Sequence, residues 1–261
     1  MPNFRIGGFP PVTNIVKNLI IINVLMFAIT YTMGLRGINL EDYLALHYWQ
    51  SPLFRWWQPF THLFMHGSIE HIFFNMFALY MFGSMLEQVW GPQRFLIFYI
   101  ICGIGAAFFY MGVQTIQFAP FQHDFMYYQE HPTFEEFNKF ISIHHLVKTD
   151  GGPWDPQSTI DGINKYYMSM ISEPTVGASG AIFGLLFAFG YLFPNMPLYL
   201  FFIPIPIKAK WMVIGYGAIE LFSGLRNSPG DNVAHFAHLG GMLFAFILLR
   251  IWKNTIRNNF Y

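Results

Sequence analysis

Residues 177–193 read GASGAIFGLLFAFGYLF, an apolar run without a charged residue whose first turn holds a serine between two small residues. A helix of about 20 such residues crosses the roughly 30 Å hydrocarbon core of a bilayer. Gly180, Gly184 and Ala188 recur every four positions, so they form one stripe along the helix. The run therefore predicts a membrane-spanning helix that packs closely against a second helix and carries Ser179 at its start.

The composition of the whole chain favours lipid as its surroundings. Only 11% of the 261 residues are charged, compared with about 25% in a typical soluble domain. The 14 basic and 14 acidic residues cancel, so no electrostatic attraction to nucleic acid is expected. The single cysteine, Cys102, excludes an internal disulfide. The chain is predicted to be an all-α, polytopic membrane protein whose partner is the lipid bilayer and not a nucleic acid.

Apolar stretches predict six spanning helices. They are Leu19–Gly34, Phe73–Leu86, Phe95–Val113, Ala178–Phe193, Trp211–Leu225 and Ala234–Trp252. Two prolines two residues apart prevent a regular helix, so Pro194–Lys210 is predicted to be a loop along the membrane face. The expected organisation is therefore an N-terminal segment (1–17), helices one to three with a membrane-associated first loop (18–116), an insert (117–175), helices four to six (176–253) and a tail (254–261).

Lysine and arginine predict the orientation of these helices. Eight of them flank one side of the membrane and three lie in the short loops of the other side. Basic residues favour the cytoplasmic side, so both termini are expected to be cytoplasmic. Helices two, four and six then all begin at the outer face.

The segment 117–175 differs from the rest of the chain, since it holds 11 of the 28 charged residues, eight of them acidic. Thr133 and Glu136 form a capping-box pair ahead of one helical pattern, and a second helical pattern follows Ser158. We expect an extracytoplasmic helical insert that affects substrate access and offers a surface to an extracytoplasmic partner.

Polar residues gather at the outer ends of helices two, four and six. Ser179, His238, His71 and Asn75 all fall near the outer face, where an unpaired polar group costs several kcal/mol. The small residues of helix six, at 237, 241 and 245, match the stripe on helix four, so these two helices are expected to touch.

Such contact brings a weak alcohol nucleophile to the base that it requires, with Ser179 as nucleophile and His238 as general base. The N-terminus of helix four supplies free N–H groups beside the serine. His71 and Asn75 are candidate donors to an oxyanion, each worth about 3 kcal/mol of barrier. Gly177 and Gly180, which have no side chains, leave room for a substrate backbone.

No carboxylate is obviously placed to orient His238. Asp231 lies seven residues earlier, and Glu220 belongs to helix five. The sequence therefore predicts a Ser–His dyad without an acid.

Each feature also has a structural explanation. A membrane serine commonly bonds the carbonyl four residues back, and His71 with Asn75 can bridge two helices. His62 with His66, or His235 with His238, has a spacing suited to metal ligation, but no H-E-x-x-H motif is present. No metal or cofactor is expected. A channel or transporter has only the interrupted Pro204–Pro206 segment in its favour.

Taken together, the residues resemble the rhomboid family of intramembrane serine proteases. The matching stretches, in the family's order, are Phe60-Thr-His-Leu-Phe-Met-His66, His71-Ile-Phe-Phe-Asn75, Glu87 with Gly91, Gly177-Ala-Ser-Gly180 and Asp231-Asn-Val-Ala-His-Phe-Ala-His-Leu-Gly-Gly241.

The resemblance implies a six-helix bundle with a water-filled cavity open to the outer face. It implies that Ser179 and His238 cleave transmembrane protein substrates through an acyl-enzyme. His71, Asn75 and the Ser179 backbone N–H would bind the oxyanion. Gly241 would support the close helix contact, and Phe183 would pack against the His238 ring.

The chain departs from the family pattern at Trp57-Gln58, where a Trp-Arg pair is usual, at Ala245, where a glycine is usual, and in its long insert. The alternative function is that of a non-catalytic rhomboid-like protein that binds transmembrane clients. The expected location is a bacterial inner (plasma) membrane.

Overall fold

The computed structural model describes residues 11–146, 154–200, 203–226 and 233–256. They fall into two compact units. Unit 1 comprises the described residues within 1–46, 55–110 and 174–261, and unit 2 those within 47–54 and 111–173. Asp231, most of the predicted 1–17 segment and most of the predicted tail lie outside the described residues.

Unit 1 is built mainly from helices. They are α1 (Asn14–Gly34), α2 (Glu41–Leu44), α3 (Gln58–Thr61), α4 (Ile69–Ala78), α5 (Ser84–Trp90), the start of α6 (Pro92–Glu130), α9 (Ser179–Leu192), α10 (Ala209–Arg226) and α11 (His235–Ile256). A 3₁₀ turn (His62–Phe64) follows α3, and a π-helical segment (Leu79–Gly83) joins α4 to α5 without a break.

Among the described residues, four helical stretches are long and apolar enough to cross a membrane: Asn14–Gly34, Ile69–Trp90, Pro92–Glu130 and His235–Trp252. The apolar helix α9 is shorter, at 14 residues. Large apolar side chains such as Ile22, Leu25 and Phe73 are exposed, as expected for helices that face lipid. The chain is therefore a mainly helical integral membrane protein.

The segment predicted to be a loop between helices four and five contains a β-hairpin. Strands β1 (Pro197–Leu200) and β2 (Ile203–Lys208) pair antiparallel, with Pro197 opposite Lys208. The prediction failed because prolines that break a helix are still tolerated in a two-stranded hairpin, where each strand is an edge. This hairpin is also the one departure from an all-α fold within the described part of the chain.

The start of α1 and the end of α11 lie at the same end of unit 1. Backbone N–H groups at the start of α1 donate to the Glu87 carboxylate near the end of α5. The Trp252 ring, near the end of α11, lies 5.6 Å from the Trp90 ring at the end of α5. The residues that begin α4, including His71, are therefore at the other end.

Unit 2 is a small helical unit. It contains the rest of α6 together with α7 (Phe134–Ile143) and α8 (Pro156–Ile171). One half of the predicted capping box is present at α7, where the Thr133 hydroxyl accepts a hydrogen bond from the Glu136 backbone N–H. The Thr133 N–H donates to the His131 carbonyl and not to the Glu136 side chain. The unit has its own aromatic core, formed by Tyr48, Phe121, Phe125, Tyr128, Phe137, Phe140, Ile163, Tyr167 and Ile171.

Candidate active site

The structure brings Ser179 and His238 together across two helices. Ser179 is the first residue of α9, and His238 lies in the first turn of α11. The Ser179 Oγ lies 2.8 Å from the His238 Nε2, within hydrogen-bond range. His238 is buried and Ser179 is partly exposed, so the pair joins a protected base to an accessible hydroxyl.

Glycines allow this approach. A methyl group at Gly241 would lie 1.9 Å from the Gly180 carbonyl oxygen, and one at Gly184 would lie 3.1 Å from the Gly241 carbonyl oxygen. The two small-residue stripes therefore face each other as predicted, with backbone against backbone. Because Ser179 and His238 each adjoin this contact, the backbones determine the distance between them.

Phe183 holds the imidazole from one side. Its ring stacks on that of His238, with the centroids 4.1 Å apart and the planes 5° from parallel. Phe183 follows Ser179 by four residues and so shares its helix face. This contact, which the resemblance implied, limits rotation of the imidazole away from the serine.

His71 and Asn75 approach the serine from α4. A side chain added at Gly177 would lie 2.7 Å from the His71 Nε2 and 3.6 Å from the Asn75 Nδ2. Gly177 also has a φ of 125°, a conformation that favours glycine. The predicted donors thus border the turn that leads into α9, whose first N–H groups have no helical partner.

Asn75 is held in place by His66. The Asn75 Nδ2 lies 3.0 Å from the His66 Nε2. Burial, together with the neighbouring His71, lowers the pKa of His66 to about 3, so this imidazole is neutral and its nitrogen accepts from the amide. An amide has two N–H groups, which leaves one available for another acceptor.

The first loop positions the turn at Gly177. The Gly177 N–H donates to the His62 carbonyl at 3.0 Å, and Leu46 and Thr175 exchange two backbone hydrogen bonds. The His62 Nδ1 contacts the Gln58 carbonyl at 3.0 Å. Gln58 is itself fully buried, so this glutamine is part of the packed loop.

The expectation that no carboxylate approaches His238 is wrong. Glu220 of α10 is 7% exposed, and its Oε2 lies 2.9 Å from the His238 Nδ1 and 2.6 Å from the His235 Nδ1. The contact with His235 is an aligned hydrogen bond. Among the described residues the His238 Nδ1 has no aligned partner, so its contact with Glu220 is a close ion-pair contact at an unfavourable angle.

A signal for Glu220 was present in the sequence. An ionisable residue within an apolar helix is expensive and is often functional. What the sequence did not reveal was the register between α10 and α11, since tertiary packing sets that register.

The cluster of Glu220, His235 and His238 also deserves comparison with a metal site, because one ligand atom from each lies within 4.8 Å of the others. Two atoms bound to one tetrahedral zinc at about 2.05 Å are roughly 3.3 Å apart. The separations of 2.6 and 2.9 Å between the carboxylate oxygen and the two nitrogens are shorter. They fit a hydrogen bond and a close charge contact better than two ligands on one ion. The other histidine pair, His62 and His66, is occupied by the separate hydrogen bonds described above.

Comparison with known proteins identifies relatives of this chain. RHOMBOID-like protein 12, mitochondrial, from Arabidopsis thaliana is 28% identical over 76% of this chain and 47% of its own length. An uncharacterized mitochondrial rhomboid protein of Schizosaccharomyces pombe is 28% identical over 83% of this chain and 59% of its own length. Rhomboid protease GluP of Bacillus subtilis is 32% identical over 33% of this chain and 17% of its own length.

The chain thus spans about half the length of the first two relatives that it matches. The rhomboid domain model matches residues 53–117 and 157–254, which is more than half of the chain. The gap between these ranges falls within the predicted insert. By this match, the chain belongs to the rhomboid family.

Proposed function

We propose that this protein is an intramembrane serine endopeptidase that cleaves transmembrane-helix substrates near one face of the membrane. Ser179 would attack the peptide carbonyl while His238 accepts its proton. The resulting acyl-enzyme would be released by water. The alternative is a rhomboid-like protein that binds transmembrane clients without cutting them.

The observation that carries the proposal is the 2.8 Å separation between the Ser179 Oγ and the His238 Nε2. A serine hydroxyl is a weak nucleophile unless a base removes its proton, and this distance permits the transfer. Within a helix, a serine that served only that helix would bond the carbonyl four residues earlier, but Ser179 is the first residue of α9 and has no helical carbonyl at that position. Here the side chain of Ser179 instead contacts a base on another helix.

The surroundings of Ser179 suit a developing oxyanion. We assign its stabilisation to the Ser179 backbone N–H, the His71 Nε2 and the second N–H of the Asn75 amide. The His71 Nε2 and the Asn75 Nδ2 both lie beside the space that Gly177 leaves by having no side chain, so a carbonyl oxygen there would have both groups as neighbours. Loss of one such donor in a serine protease costs about 10² to 10³ in rate.

A serine-directed fluorophosphonate probe tests the proposal without knowledge of the natural substrate. The purified wild-type protein is expected to be labelled, and Ser179→Ala is expected to abolish the labelling. Absence of labelling in a correctly folded wild-type protein would favour the client-binding alternative.

We propose an integral membrane location in which the termini lie on the side opposite to Ser179, as both ends of unit 1 suggest. Two of the relatives are named as mitochondrial, so the comparisons give no support to a bacterial plasma membrane. A six-helix bundle remains our proposal, with α9 and α10 crossing beside the four longer stretches.

We further propose that the insert influences which substrates are cleaved and offers a surface to an extramembrane partner. Its charged composition and its separate aromatic core support this role. Deletion of residues 122–162 is expected to change the cleavage of some membrane substrates while fluorophosphonate labelling persists. Unchanged cleavage of every substrate would refute the role.

A further inference from the structure

We infer that Glu220 is a positioning residue for His238, so that a carboxylate orients the imidazole of the proposed Ser–His pair. The inference rests on the proposed function, because it concerns the same serine and histidine. It starts from the 2.9 Å contact between the Glu220 Oε2 and the His238 Nδ1. This nitrogen is on the opposite side of the imidazole from Nε2, which faces Ser179.

The contact with Glu220 determines which ring nitrogen carries the proton. A neutral imidazole has one protonated and one bare nitrogen. The carboxylate charge 2.9 Å away favours the positive end of an N–H over a lone pair at Nδ1, so the proton belongs on Nδ1. Nε2 is then bare and able to accept the proton of Ser179, as a general base must.

The negative charge of Glu220 also matters after proton transfer. When Ser179 attacks, its proton moves from Oγ to Nε2, and His238 becomes an imidazolium. A buried cation is costly unless an opposite charge lies close to it. Glu220 is buried on the adjoining helix α10, so it stabilises the imidazolium where water is scarce.

His235 orients the carboxylate. Its Nδ1 makes an aligned hydrogen bond of 2.6 Å to the same Oε2, which fixes that oxygen between the two imidazoles. The angle to the His238 Nδ1 is unfavourable, but catalytic hydrogen bonds are often poorly aligned before substrate binds. Among the described residues, the titratable groups that face His238 are Glu220 from α10, His235 from its own helix and His71 from α4, which interacts with it electrostatically.

The test compares two buried glutamates. The rate constant of fluorophosphonate labelling is measured between pH 5 and 9 for wild type, Glu220→Gln, Glu220→Asp and Glu87→Gln. Glu87→Gln is the matched control, because it makes the same chemical change at a buried site at the other end of unit 1. Thermal unfolding in detergent reports the folded fraction of each variant.

We expect Glu220→Gln to label at least about tenfold more slowly than wild type, since a carboxylate that orients a catalytic histidine can be worth far more. Its pH profile should also differ from that of wild type, because the negative charge beside His238 is removed. Glu220→Asp should recover part of the rate. Glu87→Gln should keep both the wild-type rate per folded molecule and the wild-type profile.

The outcomes separate this inference from the proposed function. Labelling of wild type together with an unchanged rate and profile in Glu220→Gln would overturn the inference and leave the function intact. If the labelling rate of Glu220→Gln fell only in proportion to its folded fraction, with an unchanged pH profile, Glu220 would have a purely structural role. That result would also overturn the inference. Loss of wild-type labelling on treatment with EDTA would assign the cluster to a metal instead. Absence of serine-dependent labelling in wild type would remove the function itself.

Discussion

Unit 1 contains two buried glutamates at opposite ends of its helices, and their partners differ in kind. Glu87 is 5% exposed and accepts hydrogen bonds from the Ile15 and Val16 backbone N–H groups and from the Thr13 hydroxyl. Glu220 is 7% exposed and contacts the imidazoles of two histidines.

The difference shows that the hydrogen-bonding partners of a buried carboxylate, and not its burial, decide whether it serves the fold or a reaction. Amide and hydroxyl donors keep their protons at every ordinary pH, so Glu87 only fixes the start of α1 against the end of α5. Imidazoles gain and lose protons near neutrality. Glu220 therefore contacts groups whose charge can change during a reaction.

The strongest test of this comparison is His238→Ala at the site end. We expect the fluorophosphonate labelling rate to fall by about 10³-fold or more, because the base is removed from its serine. The rate is normalised to folded protein. His235→Ala, which removes a hydrogen-bond partner of Glu220 but leaves the base in place, should lose much less. Similar losses in the two variants would show that the cluster acts only through its packing.

Gly241→Ala tests whether the backbone contact that supports the site is as tight as described. Its new methyl group would lie 1.9 Å from the Gly180 carbonyl oxygen, which no side-chain rotation relieves. We expect a loss of about 3 kcal/mol in the free energy of unfolding, measured by denaturation in detergent. Gly215→Ala is the control, since beyond the backbone of its own helix no described atom lies within 4 Å of its added methyl group. Equal stability of the two variants would contradict the close contact.

Glu87→Gln tests the scaffold end. Its carboxylate accepts two backbone hydrogen bonds, of 3.1 and 3.0 Å. A hydrogen bond to a charged group is worth about 1.5 to 3 kcal/mol, so we expect a loss of about 2 kcal/mol in unfolding free energy. A lower fluorophosphonate labelling rate per folded molecule of Glu87→Gln would contradict the assignment of Glu87 to the fold alone.

The smallest expected effect concerns His66, which supports Asn75. Its pKa is lowered from 6.5 to about 3 in the folded protein, chiefly by burial. Between these values the unfolded chain binds more protons than the folded one, so stability falls as the pH falls. From pH 7 to 5.5 this single group should remove about 1 kcal/mol.

Thermal unfolding at both pH values checks this expectation. In His66→Gln the decline should be smaller by that amount, while His62 still contributes, because burial lowers its pKa to about 4. An identical decline in wild type and variant would mean that His66 is not held neutral by the fold.

Much of this fold was predictable because hydropathy and small-residue spacing are local properties of a sequence. The apolar runs predicted α1, α9, α11 and the first half of α6, and the stripes predicted that α9 and α11 touch. The continuation of α6 to Glu130 was not predicted. The capping box predicted the start of α7. Each of these signals depends on residues within a few turns of one another.

The remaining features depend on long-range packing. The hairpin at 197–208 was missed because two prolines exclude a helix without excluding an edge strand. Glu220 was missed because its approach to His238 is set by the rotation of α10 against α11. The proximity of Ser179 and His238 was predicted, since the matched stripes fixed that rotation for α9 and α11.

The glycine contact has a consequence for how the surrounding lipid can influence this protein. Helices α9 and α11 touch through main-chain atoms at Gly180 and Gly241. If a thinner or thicker bilayer tilts these two helices, the Ser179 hydroxyl and the His238 ring should therefore move together. The carboxylate of Glu220 belongs to a different helix, α10. Changes in lipid chain length should therefore alter the contact between Glu220 and His238 while leaving the contact between Ser179 and His238 unchanged.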